Sequence, residues 1–134
     1  MPHLIVLYTN NLEPQTDMGA LCRKMADAML SVTDEDDKQV FPTGGTRVLA
    51  YPAAHYAVAD GQRDYAFVYL NLRMARGRTE AVKKKAGEAL RAVAQEHFAE
   101  LLANRYIGIT LQVDEGQEAF DAKLSSIHPL FSRK

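Results

Sequence analysis

Residues 64–80 read DYAFVYLNLRMARGRTE, and three structural signals follow one another in this stretch. Its first eleven residues, 64–74, are rich in β-branched and aromatic residues, which predicts a β-strand. The sequence ARGR that follows is typical of a loop. Thr79 can then cap a helix, and Glu80 is an acid in the first turn, where the helix dipole favours negative charge. The stretch therefore predicts a strand, a loop and the start of a helix.

The chain beyond residue 80 completes a larger unit. One apolar stripe recurs there at helical spacing. Its members are Val82, Ala86, Ala89, Leu90, Val93, His97, Phe98, Leu101 and Leu102. The sequence YIGITLQVDE, residues 106–115, then predicts another strand. The order of the elements is β-α-β.

The same order occurs once before in the chain. HLIVLYT, residues 3–9, predicts a strand, and Thr16 is expected to cap a helix with Asp17 in its first turn. Apolar residues recur at helical spacing within 18–32. TRVLAYP, residues 46–52, predicts the second strand of this unit. The chain therefore contains two β-α-β units.

These units, at about residues 2–55 and 60–120, predict an α+β fold, and residues 1–134 are expected to form a single domain. A helix that crosses over between two strands of one sheet joins them in parallel, almost always with a right-handed turn. The two strands of each unit should therefore be parallel. The result is a four-stranded mixed sheet with two helices on one face.

The other face of this sheet has no helix to cover it. Apolar residues on the predicted strands indicate that both faces are apolar, and they include Leu4, Val6, Val48, Phe67, Tyr69, Ile107 and Ile109. An exposed apolar sheet face is typical of an interface with another subunit. We therefore expect an oligomer.

Composition excludes several classes of protein. The formal net charge is −1, so no global basic field is available to attract nucleic acid. Cys22 is the only cysteine, which excludes an intrachain disulfide. No stretch approaches the length of a membrane span, and the apolar run near the N-terminus is too short for a signal peptide. A cytoplasmic protein is expected.

Common catalytic and nucleotide-binding motifs are missing from the sequence. The glycine pair in FPTGG, residues 41–45, is interpreted as a turn before a strand. The four histidines, His3, His55, His97 and His128, lack the spacing of metal ligands, so no metal site is expected. His97 lies on the apolar helix stripe and is expected to be a hydrogen-bonded core histidine.

Arginines are the candidate anion-binding residues. Arg47 lies at the start of the second predicted strand, and Arg78 directly precedes the N-terminus of the long helix. An arginine beside a helix N-terminus can bind an anion. Arg73 and Arg76 compete with Arg78 for this role, and any one of these arginines can instead be a solvated surface charge. Spacing alone does not choose among them.

Pro2 is a candidate base only under one condition. Within the chain its nitrogen is a tertiary amide without a basic lone pair, but removal of Met1 would make it a secondary amine. An ordinary α-amino group has a pKa of about 7.7–8.0, and apolar surroundings or nearby arginines lower that pKa. Such an amine could act as a general base near physiological pH.

The sequence resembles the 5-carboxymethyl-2-hydroxymuconate Δ-isomerase family of the tautomerase superfamily. The resemblance covers nearly the whole chain. The segments that carry it are PHLIV at the start, GTR at 45–47, ADGQRDYAF at 59–67, ARGRT at 75–79, HFAELLANR at 97–105 and HPLF at 128–131.

The resemblance implies a fold, an assembly and a reaction. Such proteins are trimers of double β-α-β subunits with the sheets facing inward, and they need no cofactor. Their N-terminal proline, exposed by methionine removal, is the base that ketonises a dienol acid from aromatic-acid breakdown. On this basis Pro2 is expected to be the catalytic residue, while Arg47 and Arg78 are expected to bind the carboxylates of an unsaturated di- or tricarboxylate.

One segment departs from the family pattern, and two alternatives to this function stay open. TDEDDKQV, residues 33–40, is interpreted as an exposed insertion near Arg47. The chain could instead be a non-catalytic oligomeric binding module, in which Pro2 merely starts a strand. It could also catalyse another reaction of the superfamily, such as hydration or dehalogenation of an unsaturated acid.

Overall fold

The computed structural model describes residues 2–131. Four strands and three α-helices form its framework. The strands are β1 (His3–Thr9), β2 (Arg47–Ala53), β3 (Ala66–Met74) and β4 (Ile107–Glu115). The helices are α1 (Met18–Leu30), α2 (Glu80–His97) and α3 (Ala99–Asn104). Short 3₁₀ turns occur at Asn10–Leu12, Thr43–Gly45 and His128–Phe131.

The sheet confirms the predicted α+β fold of two β-α-β units. Its strand order is β2-β1-β3-β4. Strands β1 and β2 are parallel, β3 and β4 are parallel, and β1 and β3 join the two units in antiparallel fashion. Each unit therefore contributes one central strand and one edge strand. No helix within residues 2–131 combines the length and the apolar composition that crossing a membrane requires.

The N-caps of the two long helices were predicted with different success. Thr79 caps α2, and its side chain accepts a hydrogen bond of 3.2 Å from the backbone N–H of Val82. The prediction of Thr16 as the cap of α1 is wrong. Asp17 is the N-cap, and its carboxylate accepts from the Ala20 N–H at 3.0 Å. The Thr16 hydroxyl instead lies 2.8 Å from Nε2 of His97.

The long apolar stripe of the second unit does not lie on one continuous helix. Helix α2 ends at His97, and α3 begins at Ala99. Phe98, between them, is fully buried, whereas Leu102 at the end of the stripe is 47% exposed. The chain therefore changes direction so that Phe98 enters the core and the last residues of the stripe leave it.

The core lies between the helices and one face of the sheet. It includes Leu4, Val6, Leu21, Met25, Phe41, Val68, Leu70, Leu72, Leu90 and Phe98. Side chains alternate along each strand, so the register assigns every strand residue to the helix face or to the open face.

The expectation that both faces of the sheet are apolar is only partly correct. Of the seven residues cited for it, only Phe67 and Tyr69 lie on the open face, because the other five share rows with buried core residues. The open face does expose Leu7 (45%), Leu49 (43%) and Tyr51 (49%). Its remaining positions are mostly polar, so the apolar area is a patch rather than the whole face.

The acidic segment 33–40 forms a small turn after α1. The carboxylate of Asp34 accepts hydrogen bonds from the backbone N–H groups of Asp36 and Lys38, at 2.9 and 3.0 Å. Lys85 of α2 donates to the Thr33 carbonyl at 2.9 Å. Residues 35–39 are exposed, as the sequence predicted.

Candidate active site

Pro2 lies at one end of the sheet, which we call the proline end. Pro2 directly precedes β1 and is buried. The next residue, His3, is in register with Arg47 on β2 and with Arg73 on β3. The start of β1, the start of β2 and the end of β3 therefore meet at the proline end.

Arg47 is on the open face of the sheet at this end. It is the first residue of β2, and its side chain shares a row with those of His3, Arg73 and Asp114. Its Nη2 donates to the carbonyl of Gly45 at 3.4 Å. Arg47 is exposed, whereas Pro2 is buried. The guanidinium is therefore accessible from the open face.

Arg78 is held in a defined position in the loop between β3 and α2. Gly77 before it has a φ of +108°, a conformation that favours glycine. Its Nη1 donates to the Ala75 carbonyl at 3.3 Å, and its Nη2 donates to the Val40 carbonyl at 3.2 Å. The guanidinium carbon lies 5.4 Å from the ring centroid of Phe41, which is fully buried. Two carbonyls and one aromatic ring therefore orient the guanidinium.

The structure separates the three arginines that competed for a ligand role. Arg73 forms an ion pair of 3.7 Å with Glu118, and Arg76 is exposed. Across residues 2–131, no carboxylate forms an ion pair with Arg78. Arg78 also directly precedes Thr79, the N-cap of α2, where the helix dipole adds positive potential. These observations favour Arg78 as the anion ligand.

A cleft of about 560 Å³ lies beside Arg47 and His3. One of its walls is the chain around Thr43–Thr46, and the other is formed by residues 118–127 after β4. Neither Pro2 nor Arg78 lines this cleft. A single chain therefore brings Pro2, Arg47 and Arg78 to the proline end, and this cleft is lined by Arg47 but not by the other two.

Two features of the proline end were not anticipated from the sequence. His3 lies between Arg47 and Arg73 in the sheet register, and strand alternation could have placed it on their face. The segment after β4 forms a wall of the cleft, but it contains little regular structure and gave no periodic signal.

A second polar cluster lies at the opposite end of the sheet, which we call the Tyr8 end. The Tyr8 hydroxyl donates to Glu13 at 2.6 Å. Burial, together with the Glu13 carboxylate, raises the pKa of Tyr8 to about 12. Tyr8 therefore stays protonated at physiological pH and keeps this hydrogen bond.

His97 is hydrogen-bonded on both sides, as predicted, but it is half-buried at the Tyr8 end and is not a core residue. Its Nδ1 is 3.3 Å from the Lys24 ammonium, and its Nε2 is 2.8 Å from the Thr16 hydroxyl. An ammonium can only donate, so Nδ1 accepts and Nε2–H donates. Burial and the Lys24 charge lower the pKa of His97, whereas Asp17 opposes them.

The acidic, histidine and cysteine side chains of the described residues do not cluster as metal ligands would. No group of three or more His, Cys, Asp or Glu side chains within the range 2–131 is arranged to hold a metal ion. The polar chemistry at the proline end consists of arginines, His3 and the segment after β4.

The fold and the proline end together define a class of protein. Two β-α-β units that share a mixed sheet, with helices on one face and a proline directly before β1, form a tautomerase-type subunit. The family model described as 5-carboxymethyl-2-hydroxymuconate isomerase matches residues 2–131. The chain belongs to this family of isomerases.

Individual relatives agree with this assignment over nearly their whole length. The 5-carboxymethyl-2-hydroxymuconate Delta-isomerase of Escherichia coli is 30% identical over 131 residues, which cover 98% of this chain and 99% of the relative. A 5-carboxymethyl-2-hydroxymuconate delta-isomerase of known crystal structure is 54% identical in sequence and has a TM-score of 0.95. The match covers 100% of this chain and 95% of that relative's chain. The 5-carboxymethyl-2-hydroxymuconate isomerase of Deinococcus radiodurans R1 is 38% identical, with a TM-score of 0.85 and coverages of 98% and 95%.

Proposed function

We propose that this isomerase ketonises 5-carboxymethyl-2-hydroxymuconate, a dienol acid of homoprotocatechuate degradation, with the amine of Pro2 as the general base. The observation that carries the proposal is the position of Pro2, which is buried at the same end of the sheet as Arg47 and Arg78. The full-length match to relatives described as isomerases of this compound supports the choice of substrate.

The proposed reaction moves one proton within the substrate. Removal of Met1 gives Pro2 a secondary amine whose lone pair accepts the proton of the 2-hydroxyl group. The electrons of that O–H bond form the C2 carbonyl, the double bonds shift, and the ammonium returns a proton to C5. Proton transfer by a positioned base typically accelerates a reaction by about 10²–10⁴-fold. The reaction is balanced without a metal ion or an organic cofactor.

The arginines are proposed to bind the carboxylates of the substrate. A guanidinium can bind a carboxylate through two parallel hydrogen bonds. The carbonyls that orient Arg78 leave its positive charge uncompensated within residues 2–131. That charge would hold one carboxylate and stabilise negative charge developing on the 2-oxygen. Arg47 is proposed to bind a second carboxylate.

The working form is proposed to be a homotrimer. The exposed patch of Leu7, Leu49 and Tyr51 lies on the open face, which no helix of residues 2–131 covers. Burial of this patch against neighbouring subunits would remove apolar area from water. Arg47 lies on the same face and would be placed at the subunit interface, where it could reach a neighbour's proline end.

A spectrophotometric assay tests the proposal. The protein is offered 5-carboxymethyl-2-hydroxymuconate and, separately, 2-hydroxymuconate, which lacks the carboxymethyl group. We expect faster ketonisation of the first compound, with saturation kinetics and no dependence on added metal. Absence of any rate above the uncatalysed reaction for both compounds would contradict the proposal.

A further inference from the structure

The segment after β4, residues 116–131, crosses the proline end, and we call it the C-terminal strap. The backbone N–H of Gly116 donates to the carbonyl of Met74 at 2.9 Å, which ties the strap to the end of β3. Glu118 then forms the ion pair with Arg73. The strap is therefore attached to the second β-α-β unit where it begins.

The far end of the strap packs against the first unit. His128 begins the His128–Phe131 turn, and it lies directly on Gly44 in the Thr43–Gly45 turn. A Cβ atom added at Gly44 would lie 2.5 Å from Cα and 3.1 Å from Nδ1 of His128. Gly44 is not among the glycines with positive φ, so its backbone would accept alanine. Glycine is needed there because the strap approaches so closely.

The turn under the strap is coupled to Arg47. The Gly45 N–H and the Thr46 hydroxyl both donate to the carbonyl of Pro42, at 3.1 and 2.9 Å, which makes the turn compact. The Gly45 carbonyl in turn accepts from Nη2 of Arg47. Ile127 of the strap lines the same cleft as Arg47. A displacement of the turn would therefore move the carbonyl that orients the guanidinium.

We propose that Gly44 and His128 are positioning residues, whose contact locks the strap onto the turn and thereby fixes Arg47 for carboxylate binding. This inference rests on the proposed function, because it assigns Arg47 a substrate carboxylate. The contact joins the two β-α-β units at the proline end. Binding sites require such support, since a displacement of about 1 Å at a ligand group can cost up to 10²-fold in rate.

The test is the kinetics of Gly44→Ala with Gly87→Ala as the matched control. A Cβ at Gly87 would meet Cγ2 of Val113 at 3.6 Å, an ordinary contact. We expect Gly44→Ala to raise KM for 5-carboxymethyl-2-hydroxymuconate roughly tenfold with a much smaller change in kcat, because Pro2 is not displaced. Gly87→Ala should leave both constants unchanged. Amide hydrogen exchange of the strap should be faster in Gly44→Ala than in the unsubstituted protein, and it should be unchanged in Gly87→Ala.

A double-mutant cycle distinguishes positioning of Arg47 from general damage. If the strap acts through Arg47, adding Gly44→Ala to Arg47→Ala should raise KM no further. Additive effects, or an unchanged KM in a Gly44→Ala protein whose strap is deprotected, would overturn the inference. Thermal unfolding and the oligomeric state are measured for every variant, so that a misfolded protein is recognised. His128→Ala keeps the backbone contact and should change KM less than Gly44→Ala.

Binding of adipate, a six-carbon dicarboxylate that cannot ketonise, separates this inference from the proposed function. Calorimetry should show roughly tenfold weaker adipate binding by Gly44→Ala than by the unsubstituted protein. If the unsubstituted protein binds adipate but does not turn over the dienol, the proposed function fails while the adipate comparison still tests the strap. A protein that neither turns over the dienol nor binds adipate overturns both.

Discussion

The two ends of the sheet hold their polar side chains in different ways. At the Tyr8 end, side chains bind one another: Tyr8 donates to Glu13, and His97 lies between Thr16 and Lys24. At the proline end, Arg78 donates to backbone carbonyls and stacks against a buried ring. Carbonyls fix a guanidinium in place without cancelling its charge.

This difference distinguishes a structural cluster from a site that is ready for a ligand. A charge that already has a partner of opposite sign gains little from a further anion, whereas an oriented and uncompensated guanidinium attracts one. We therefore expect substitutions of Pro2 and Arg78 at the proline end to change catalysis and substitutions at the Tyr8 end to change stability.

The largest effect should come from Pro2→Ala at the proline end. After removal of Met1, this variant presents a primary amine on a flexible residue in place of a secondary amine on a rigid ring. We expect kcat to fall by roughly 10²–10⁴-fold, the contribution typical of a positioned base, while the protein remains folded. Stopped-flow ketonisation and thermal unfolding measure the two properties. An unchanged kcat would show that the proline end does not contain the base.

The next effect in size concerns the choice among the arginines. Arg78→Ala should lower kcat/KM by about 10–100-fold, because a hydrogen bond to a charged group is worth about 1.5–3 kcal/mol. Arg76→Ala is the matched control, since Arg76 is an exposed arginine of the same loop. Steady-state kinetics on both variants decide the assignment. A larger loss for Arg76→Ala would transfer the anion-binding role to that residue.

Tyr8→Phe tests the opposite end of the molecule. Tyr8 is buried, and the variant loses its hydrogen bond to Glu13. We expect the free energy of unfolding to fall by about 1–2 kcal/mol, with kcat and KM unchanged. Tyr106→Phe is the control, because its hydroxyl is on an exposed residue and should alter stability by less than about 0.5 kcal/mol. A kinetic effect of Tyr8→Phe would remove the distinction between the two ends.

The smallest effect is a dependence of stability on pH through His97. Burial and Lys24 lower its pKa in the folded protein, so the unfolded chain binds a proton more readily. Stability from the neutral imidazole is therefore complete above the unfolded pKa of about 6.5 and is lost as the pH falls below it. In urea unfolding, the free energy of unfolding should fall more between pH 7.5 and pH 5.5 for the unsubstituted protein than for His97→Gln. Equal losses would contradict this role of His97.

The secondary structure could largely be predicted from the sequence because hydrophobic period and capping residues are local signals. The four strands, the two long helices and the Thr79 cap are confirmed. The predicted cap of α1 was wrong because Thr16 and Asp17 are both good capping residues. The Thr16 hydroxyl contacts His97, which is 81 residues away in the sequence. Contacts between distant segments leave no local pattern.

Candidate residues for the site could be named from the sequence, but their arrangement could not. Spacing did not distinguish Arg78 from Arg73, and the difference came from Glu118 on a segment with little regular structure. The motif ADGQRDYAF, residues 59–67, supported the family resemblance, yet it connects β2 to β3 at the Tyr8 end. At that end Asp64 forms an ion pair with Arg105, so the motif belongs to the Tyr8 end and not to the proline end.

The proposed reaction requires the free amine of Pro2 as its base. The decisive measurement is the kcat of two preparations that differ only before Pro2, with both N-termini identified by mass spectrometry. One preparation has lost Met1, and the other carries an additional lysine between Met1 and Pro2 that keeps the proline nitrogen in an amide bond. If the amine of Pro2 is the base, the second preparation is folded and has a kcat at least about 10²-fold lower. Equal kcat values for the two preparations would contradict the assignment of Pro2 as the base.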